Sequence, residues 1–532
     1  MNRKLIAAAI AVGLVGAGAA GGFFWVKSSY ESQVRSGIEQ LVAAVPEPCK
    51  ASVGTIDVDY SKKTVVLGNF AATCTVQGEP LNVSIKRVIA TDIDPKAFKA
   101  GTGNITLVKS LELENLALVG GAPEAKLEAM LETYRLEDIS GDMQVILPAL
   151  TKAVPGLAVA YSKGDQIAED AEVRKQVMEA FAHVLRAYET VKVGKISMRN
   201  YTYSLPVEGM AIAVSMKNSE TTRFNILNMG PAKSTGISAS LNGVPFLELD
   251  SVSVDGVKLP SFVPLLEYLA ANDEPSGMAV WGLLKGKDFA LQNIRMGKLS
   301  VSNPLEPGKP LASLGEATFS YEAAAAHTYK SAYKDLAIAK DVYAQADVLP
   351  QEILDLLPAT LHLDSTTDIA VTLKENGIAD VACNTLSLKE ASLGSVALGF
   401  AVQDINSLSV MMGSPGAAAL KNASLTLVDK GFSEIGMTIA AQNAEQDENP
   451  ELRTAKGQRA NMTALLMAQS QALPNDVLKN LVNSLAGFLE KPGQSLSLSI
   501  TPETATNMMQ LQQFAFTAPE KLGLKAEVAP AQ

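Results

Sequence analysis

Five segments decide how this chain reads: KSLELENLAL (Lys109–Leu118), GKISMRNYTY (Gly194–Tyr203), DSVSVDGVKL (Asp250–Leu259), GKLSVSNPLE (Gly297–Glu306) and NTLSLKEASL (Asn384–Leu393). Stacked without gaps, they place apolar residues in the third and fifth columns, as in Ile196 and Met198, Val252 and Val254, Leu299 and Val301, and Leu386 and Leu388. Alternation with period two is the pattern of a strand with one apolar face. In three segments the seventh column is Asn, at Asn115, Asn200 and Asn303, and in a fourth it is Gly256. Beyond that column the apolar positions change phase, to Leu116 and Leu118 or to Val257 and Leu259. A one-residue phase change at Asn or Gly is what a β-bulge or tight bend requires, and it keeps the same face apolar on both sides. The segments read as bent strands. Their irregular spacing excludes a solenoid of fixed period.

Outward from these strands, Ile56, Val58 and Tyr60 alternate before the polar turn Ser61-Lys62-Lys63, and Val65 and Leu67 resume the pattern, which predicts a β-hairpin. Val34, Ile38, Leu41, Val42 and Val45 recur at helical spacing up to Pro46-Glu47-Pro48. Longer helices are expected over Ala122–Leu136 and Asp165–Val191, the second with Val173, Val177, Phe181, Val184, Leu185 and Tyr188 along one face. Towards the C-terminus a strand at Ser424–Val428 precedes two helices near Gln458–Ala472 and Asn475–Glu490, with Asn475 or Asp476 placed to cap the second. Pro492-Gly493 ends that helix and Ser495–Ile500 alternates again, so strand, helical hairpin and strand form one closing unit. The last residues, APAQ from Ala529, read as frayed.

The stretch Leu5–Val26, LIAAAIAVGLVGAGAAGGFFWV, carries no charge and lies between Arg3-Lys4 and Lys27. At about 1.5 Å of rise per residue it covers a hydrocarbon core of about 30 Å. Basic residues at the short N-terminus keep that end cytoplasmic and send the body outward. Cleavage after Ala17-Gly18-Ala19 is the rival, but Phe23, Phe24 and Trp25 continue the apolar run beyond it, as an uncleaved anchor does. The literal GxGxxG at Gly16–Gly21 lies inside this run and lacks the strand and helix that a dinucleotide site needs. Gly18 and Gly22 would allow two anchors to pack closely. In an oxidising compartment Cys49 and Cys74, close in sequence, are the natural disulfide, with Cys383 left alone.

Lys and Arg number 45 against 56 Asp and Glu, a net charge of −11, which argues against nucleic acid as a partner because that affinity rests on neutralising phosphates. Aromatic residues are 5% of the chain, too few for stacking platforms as a main theme. The histidines His183, His327 and His362 stand far apart, with none at metal-ligand spacing. No GxSxG, HExxH, P-loop or EF-hand loop is present, and pairs such as Glu352 and Asp355, or Glu248, Asp250 and Asp255, read as solvated positions. No metal, cofactor or catalytic residue is expected, although two carboxylates brought together only by folding would leave no sequence spacing to find.

The anchor, the bent segments such as GKISMRN and GKLSVSN, and the closing unit from NASLTLVDKGF (Asn422–Phe432) through FLEKPGQSLSLSITP (Phe488–Pro502) resemble the AsmA-like envelope proteins of Gram-negative bacteria. They are similar, more loosely, to the YdgA-type family of unknown function. The resemblance implies a curved β-groove in the periplasm linked to phospholipid movement or outer-membrane integrity. The expected fold is α+β: an N-terminal transmembrane helix over residues 1–28, then an elongated, mainly antiparallel curved sheet with interspersed covering helices. Its parts are residues 29–190 with the hairpin and helices, 191–420 with the strand repeats, and 421–532 as the closing unit. The expected role is a single-pass inner-membrane protein whose periplasmic body shelters phospholipid or another apolar envelope component. Ile196, Met198, Val252, Val254, Leu299, Val301, Leu386 and Leu388 are candidates for its apolar face. A scaffold binding periplasmic protein partners is the second expectation and a hidden hydrolase the third.

Overall fold

The computed structural model describes residues 35–531 apart from 37, 40–41, 44–48, 60, 77–78, 94–102, 122–125, 164–169, 208–209, 273–275, 277–282, 284–288, 324–325, 346–350, 375–377, 407–417 and 445–448. The anchor segment Leu5–Val26 and the turn Pro46–Pro48 lie outside the described residues. Among those described, no helix is long and apolar enough to cross a membrane. The chain divides into two units, residues 1–293 and 294–532, both mostly antiparallel strand with fewer helices.

In the first unit, β1 (Cys49–Ser52) and β2 (Thr55–Asp59) both pair with β3 (Thr64–Val76). The sheet then meanders through β4 (Glu79–Thr91), β5 (Asn104–Gly120), β6 (Leu127–Asp142), β7 (Val193–Val207), β8 (Met210–Asn225), β10 (Ala232–Leu241) and β11 (Val244–Val254). The two-residue β9 (Asn228–Met229) joins β8 to β12 (Gly256–Lys258). The β2–β3 hairpin turns at Ser61-Lys62-Lys63, as its alternation predicts.

The core of this unit rests on one face of β3 to β5. Val65, Leu67, Phe70 and Ala72 of β3 and Val83, Ile85, Val88 and Ala90 of β4 are buried with Leu113 of β5, under Ile38 and under Met143, Ile146 and Ala149 of helix α1 (Met143–Lys163). The buried positions step from odd to even between Leu67 and Phe70, and from odd to even between Ile85 and Val88. Leu111 and Leu113 are followed in the same way by Leu116 and Leu118, all against the same core. Each step spans two consecutive residues that leave the core face, and the bent-strand reading of Lys109–Leu118 holds at this point.

Backbone geometry gives the cause. Asn69, Asn115, Asn200 and Gly236 have φ of 53°, 52°, 49° and 62°, the left-handed region, in the middle of their strands. They are aligned. Unbroken register on both sides sets Asn69 opposite Lys86, Lys86 opposite Asn115, Asn115 opposite Glu132, Glu132 opposite Asn200, Asn200 opposite Lys217, Lys217 opposite Gly236 and Gly236 opposite Asp250. A single row therefore crosses eight strands, with a left-handed residue on every second one. Six residues along, a second row runs through Asp92, Lys109, Asp138, Gly194, Arg223 and Gly230, and here the left-handed residues are Asp92, Asp138 and Arg223. Asn and Asp tolerate this conformation better than other non-Gly residues because their short polar side chains hydrogen-bond locally.

The rows correct one expectation. The described part of the expected helix Ala122–Leu136 is strand: residues 127–142 form β6. In that strand the period-two run breaks at Glu132-Thr133, so Leu127, Leu131 and Tyr134 fall at intervals of four and three and imitate a helical stripe. Helix α2 (Ala171–Thr190) does form within the expected 165–191 range, capped by Asp170, whose carboxylate accepts from the amides of Glu172 and Val173. Its buried face differs from the expected one, however. Val173, Val177, Ala180, Ala182 and Ala187 are buried while Phe181 and Tyr188 are exposed. The small residues are needed because α1 crosses close: a Cβ on Gly156 would lie 2.4 Å from the Gln176 carbonyl. Helix α1 was not expected, since Pro148 and Pro155 interrupt its pattern. Helix α3 (Val263–Ala271) packs against α2.

The division between the units falls within β13 (Phe289–Met296). In the second unit β14 (Leu299–Ser302) pairs with β15 (Pro310–Leu314), and both β15 and β16 (Glu316–Ala323) pair with β17 (His327–Ala339). Short helices α4 (Lys340–Gln345) and α5 (Gln351–Leu356) follow. The sheet continues through β18 (Thr360–Leu373), β19 (Ile378–Glu390), β20 (Gly394–Asn406), β21 (Ala419–Asp429), β22 (Gln494–Ile500) and β24 (Lys525–Pro530), with β23 (Thr506–Asn507) on β21. Between β21 and β22 lie α6 (Phe432–Asn443), α7 (Ala455–Ala472) and α8 (Asp476–Glu490); α9 (Met508–Thr517) comes after β23.

The strand, helical hairpin and strand of the closing unit are as expected, with Asn475 capping α8 through the amide of Val477. The end is not frayed: Ala529 pairs with Ser495, and the Ala531 amide donates to Gly493 at 2.8 Å. Asn303 lies beyond β14, its amide donating to Lys309 across a turn, so the Asn column of the repeat holds for Asn115 and Asn200 but not there.

A candidate apolar binding face

Residues directly opposite one another in register share a face of the sheet. In the first unit Ile196 lies beside Leu136 and Thr221, and Thr221 leads through Ala232 to Val254. Met198 lies beside Tyr134 and Ser219, and Ser219 leads through Ser234 to Val252. Four of the expected residues thus occupy two adjacent lines of one face. The lines are interrupted by small hydroxyls, where Ser234 donates to Ser219 at 2.9 Å. Beyond the left-handed row the face continues with Leu131, Tyr201, Met216, Ile237 and Leu249. Burial pushes the Tyr134 phenol above its ordinary range, and burial with neighbouring Tyr203 does the same for Tyr201.

In the second unit the face is more continuous. Tyr333, Ser365, Leu388, Val396, Leu427 and Leu496 form one line across six strands. Leu386, Leu398, Leu425 and Leu498 form the next. Val301 joins the same face through Ala312, Ile338 and Leu361, and Leu299 sits opposite the buried Leu314. The reverse face is polar. There Lys330 meets Asp368 at 3.3 Å, Lys389 meets Asp364 at 3.8 Å and Lys334 meets Glu316 at 3.9 Å.

Cover over this apolar face is uneven. Helix α8 packs on β22 and β24, and Leu496 is fully buried. Away from those strands Val396 is 38% exposed, Leu388 47%, Leu386 43% and Tyr333 41%. The sequence reading named Leu386 and Leu388 but missed Tyr333, Val396 and Leu398. The alternation in GSVALGFAV (Gly394–Val402) carries that signal for β20. Cys383 is buried, and desolvation together with the Asp368 charge raises its thiol pKa, which disfavours the reactive thiolate.

The buried polar groups serve the framework. Asp429 accepts from the amides of Gly431 and Ser433 and from the Ser433 hydroxyl, tying the end of β21 to the start of α6. The Arg459 guanidinium reaches the Leu489 carbonyl at 2.9 Å, the Ser433 hydroxyl at 3.2 Å and Glu434 at 2.7 Å, joining α6, α7 and α8. The carboxylate of Glu390 accepts from the amides of His362, Ser392 and Leu393 and from the Ser392 hydroxyl. Among the histidines, His327 Nδ1 meets the Tyr321 hydroxyl at 2.7 Å and His183 Nδ1 meets Arg186 at 3.4 Å. Among the described residues no group of three or more His, Cys, Asp or Glu is placed to hold a metal ion.

Cys49 and Cys74, directly opposite in β1 and β3, are joined by a disulfide. A model of a family described as "Uncharacterized protein" matches residues 369–528, which run from within β18 into β24. No curated protein and no solved structure matches the chain.

Proposed function

We propose that this chain is a membrane-anchored periplasmic protein that shelters lipid or another apolar envelope component against the apolar face of its sheet, without catalysing a reaction. One observation carries this reading: on a single face Leu388 stands directly opposite Val396, Leu386 lies two residues along the same strand, Tyr333 reaches Leu388 through Ser365, and all four stay more than a third exposed. Contiguous exposed apolar patches of this kind mark binding surfaces. Each ligand CH₂ moved from water onto such a face gains about 0.8 kcal/mol, so an acyl chain of ordinary length gains on the order of 10 kcal/mol with no catalytic group involved.

The test is extraction of the purified body, lacking residues 1–28, followed by mass spectrometry of the organic phase. Co-purifying phospholipid or another apolar molecule supports the reading, and its loss in Leu388→Asp with an unchanged thermal transition ties it to this face. A body that is empty of lipid but holds a captured protein transfers the role to scaffolding.

A further inference from the structure

We infer that helix α1 is a second membrane contact, lying along the bilayer surface beside the anchor. The inference rests on reading Leu5–Val26 as an anchor. Leu150, Val154 and Leu157 stand at i, i+4 and i+7 on α1 and are exposed, Val154 at 62%. A stripe at this spacing forms one apolar side of a helix. Met143 and Ile146, two turns and one turn before Leu150, carry the same side into the core at the start of the helix, while Ala149 and Ala153 are buried on its flank and Gly156 lies against α2, so the stripe emerges from the body from Leu150 onward.

Two observations point to lipid as the occupant. The first is chain length. Only eight residues, 27–34, lie between Val26 and Arg35, which is 35 − 26 = 9 Cα–Cα steps, and Arg35 is fixed to the body by its guanidinium bond to the Ile56 carbonyl at 2.6 Å. Nine extended steps span at most about 30 Å, so the bilayer surface lies within that distance of Arg35. Ile38, three residues on, shares a core with Met143, Ile146 and Ala149 of α1, which places the start of this helix in the part of the body next to the membrane.

The second is charge. The 21 residues of α1 include Lys152 and Lys163 and no Asp or Glu, in a chain of net charge −11. A helix with an apolar stripe, lysines and no acids suits an anionic lipid surface, its apolar side entering about 5–10 Å, to the headgroup–acyl boundary. Tethering by the anchor makes this contact intramolecular, so a weak intrinsic affinity is enough.

The test uses the full chain reconstituted into vesicles of phosphatidylethanolamine and phosphatidylglycerol. Cys49 and Cys74 are bonded and Cys383 is buried, so an introduced thiol is the reactive one for a fluorescent label. Three proteins, each with one introduced thiol, are compared: Phe24→Cys in the anchor, Val154→Cys on the stripe and Lys152→Cys elsewhere on the same helix. The expected result is blue-shifted emission at position 154, quenched by lipids carrying a nitroxide at a shallow acyl carbon, with position 152 quenched less. Replacing Leu150 and Leu157 by Ser should then abolish quenching at 154 with the thermal transition unchanged, and omitting phosphatidylglycerol should weaken it. Quenching at 24 with none at 154 overturns the inference and leaves the anchor standing. Emission at 154 that is blue-shifted but unquenched means protein covers the stripe, which also overturns it. Absence of quenching at 24 overturns the anchor reading and this inference together.

Discussion

Asn200 donates a hydrogen bond from its side-chain amide to the carboxylate of Glu132 on the neighbouring strand, at the point where both strands step out of phase. The bond sits in the row that also holds Asn69, Asn115 and Gly236, so a local side-chain contact marks a break that the sheet makes in concert. An isolated step on one strand would turn its apolar residues to the wrong face, whereas a step shared by every strand keeps a single apolar face throughout.

This dependence on left-handed backbone makes Asn115 and Asn200 selective for residue type. Asn115→Gly should be tolerated within about 1 kcal/mol, whereas Asn115→Val should destabilise by about 1–2 kcal/mol, because a β-branched side chain is disfavoured at φ near 50°. Urea unfolding of the two variants at equal m-value measures the difference. Equal stability of the Gly and Val forms would mean that the row does not constrain the fold.

A harsher form of the same argument applies at Gly394, where β20 begins. Its φ is 128°, and a Cβ there would stand 1.9 Å from the Val428 carbonyl oxygen. Gly394→Ala is expected to cost more than about 3 kcal/mol or to prevent folding, since both backbone strain and a collision with main chain must be relieved. Gly243→Ala is the control. It also has positive φ, 81°, but open space around it, and its expected cost of about 1 kcal/mol is strain alone. Thermal transitions of the pair separate the two contributions.

The kink rows also explain which parts of the structure were legible in the sequence. In GKISMRN the interval from Gly194 to Asn200 is the interval between the two rows, and KSLELEN from Lys109 to Asn115 spans the same six steps. The recurring segment is therefore the stretch of strand between successive bends, and its columns identified Asn115 and Asn200 correctly. Where the same step falls on a strand without Asn or Gly, as at Glu132-Thr133, it leaves intervals of three and four and mimics a helix. That the left-handed residues alternate from strand to strand could not be read, because it depends on register between segments far apart in the chain. At the candidate site, Leu386 and Leu388 followed from alternation alone. Their exposure did not, because it depends on where α8 comes to rest.

The disulfide should be the main support of the edge of the first unit. Cys49 and Cys74 are 25 residues apart and directly opposite in β1 and β3. Closing a loop of that length stabilises by about 3.5 kcal/mol on the chain-entropy model. Cys49→Ser with Cys74→Ser should therefore lose roughly 3 kcal/mol, and reductant should reproduce the loss in the unaltered chain while adding nothing to the double variant. Denaturant midpoints with and without reductant give both comparisons.

Arg459 supports the closing unit differently, since its charge is buried among three helices. Arg459→Ala would leave the Leu489 carbonyl without this donor and open space between α6, α7 and α8. The expected cost is about 2–4 kcal/mol, larger than an exposed ion pair would give. Arg459→Lys should recover only part of it, because one ammonium cannot replace the planar fork that reaches three acceptors. Chemical unfolding monitored by far-ultraviolet circular dichroism reports both values.

Glu390 connects stability to acidity. Burial alone would raise its pKa, but the Ser392 hydroxyl and the amides of His362, Leu393 and Ser392 outweigh that and hold it below the ordinary glutamate value. A carboxylate whose folded pKa is depressed contributes its stabilisation above the unfolded value, about 4.3, and loses it as pH falls from there through the folded value. Glu390→Gln keeps the shape but loses the ionised acceptor, and should cost about 1–3 kcal/mol at neutral pH. That difference should shrink as pH drops below about 4, because the native side chain is then protonated too. Unfolding free energies of both proteins between neutral pH and pH 3 test this directly, and a gap that stays constant across the range would show that ionisation of Glu390 contributes nothing to holding the β19–β20 turn.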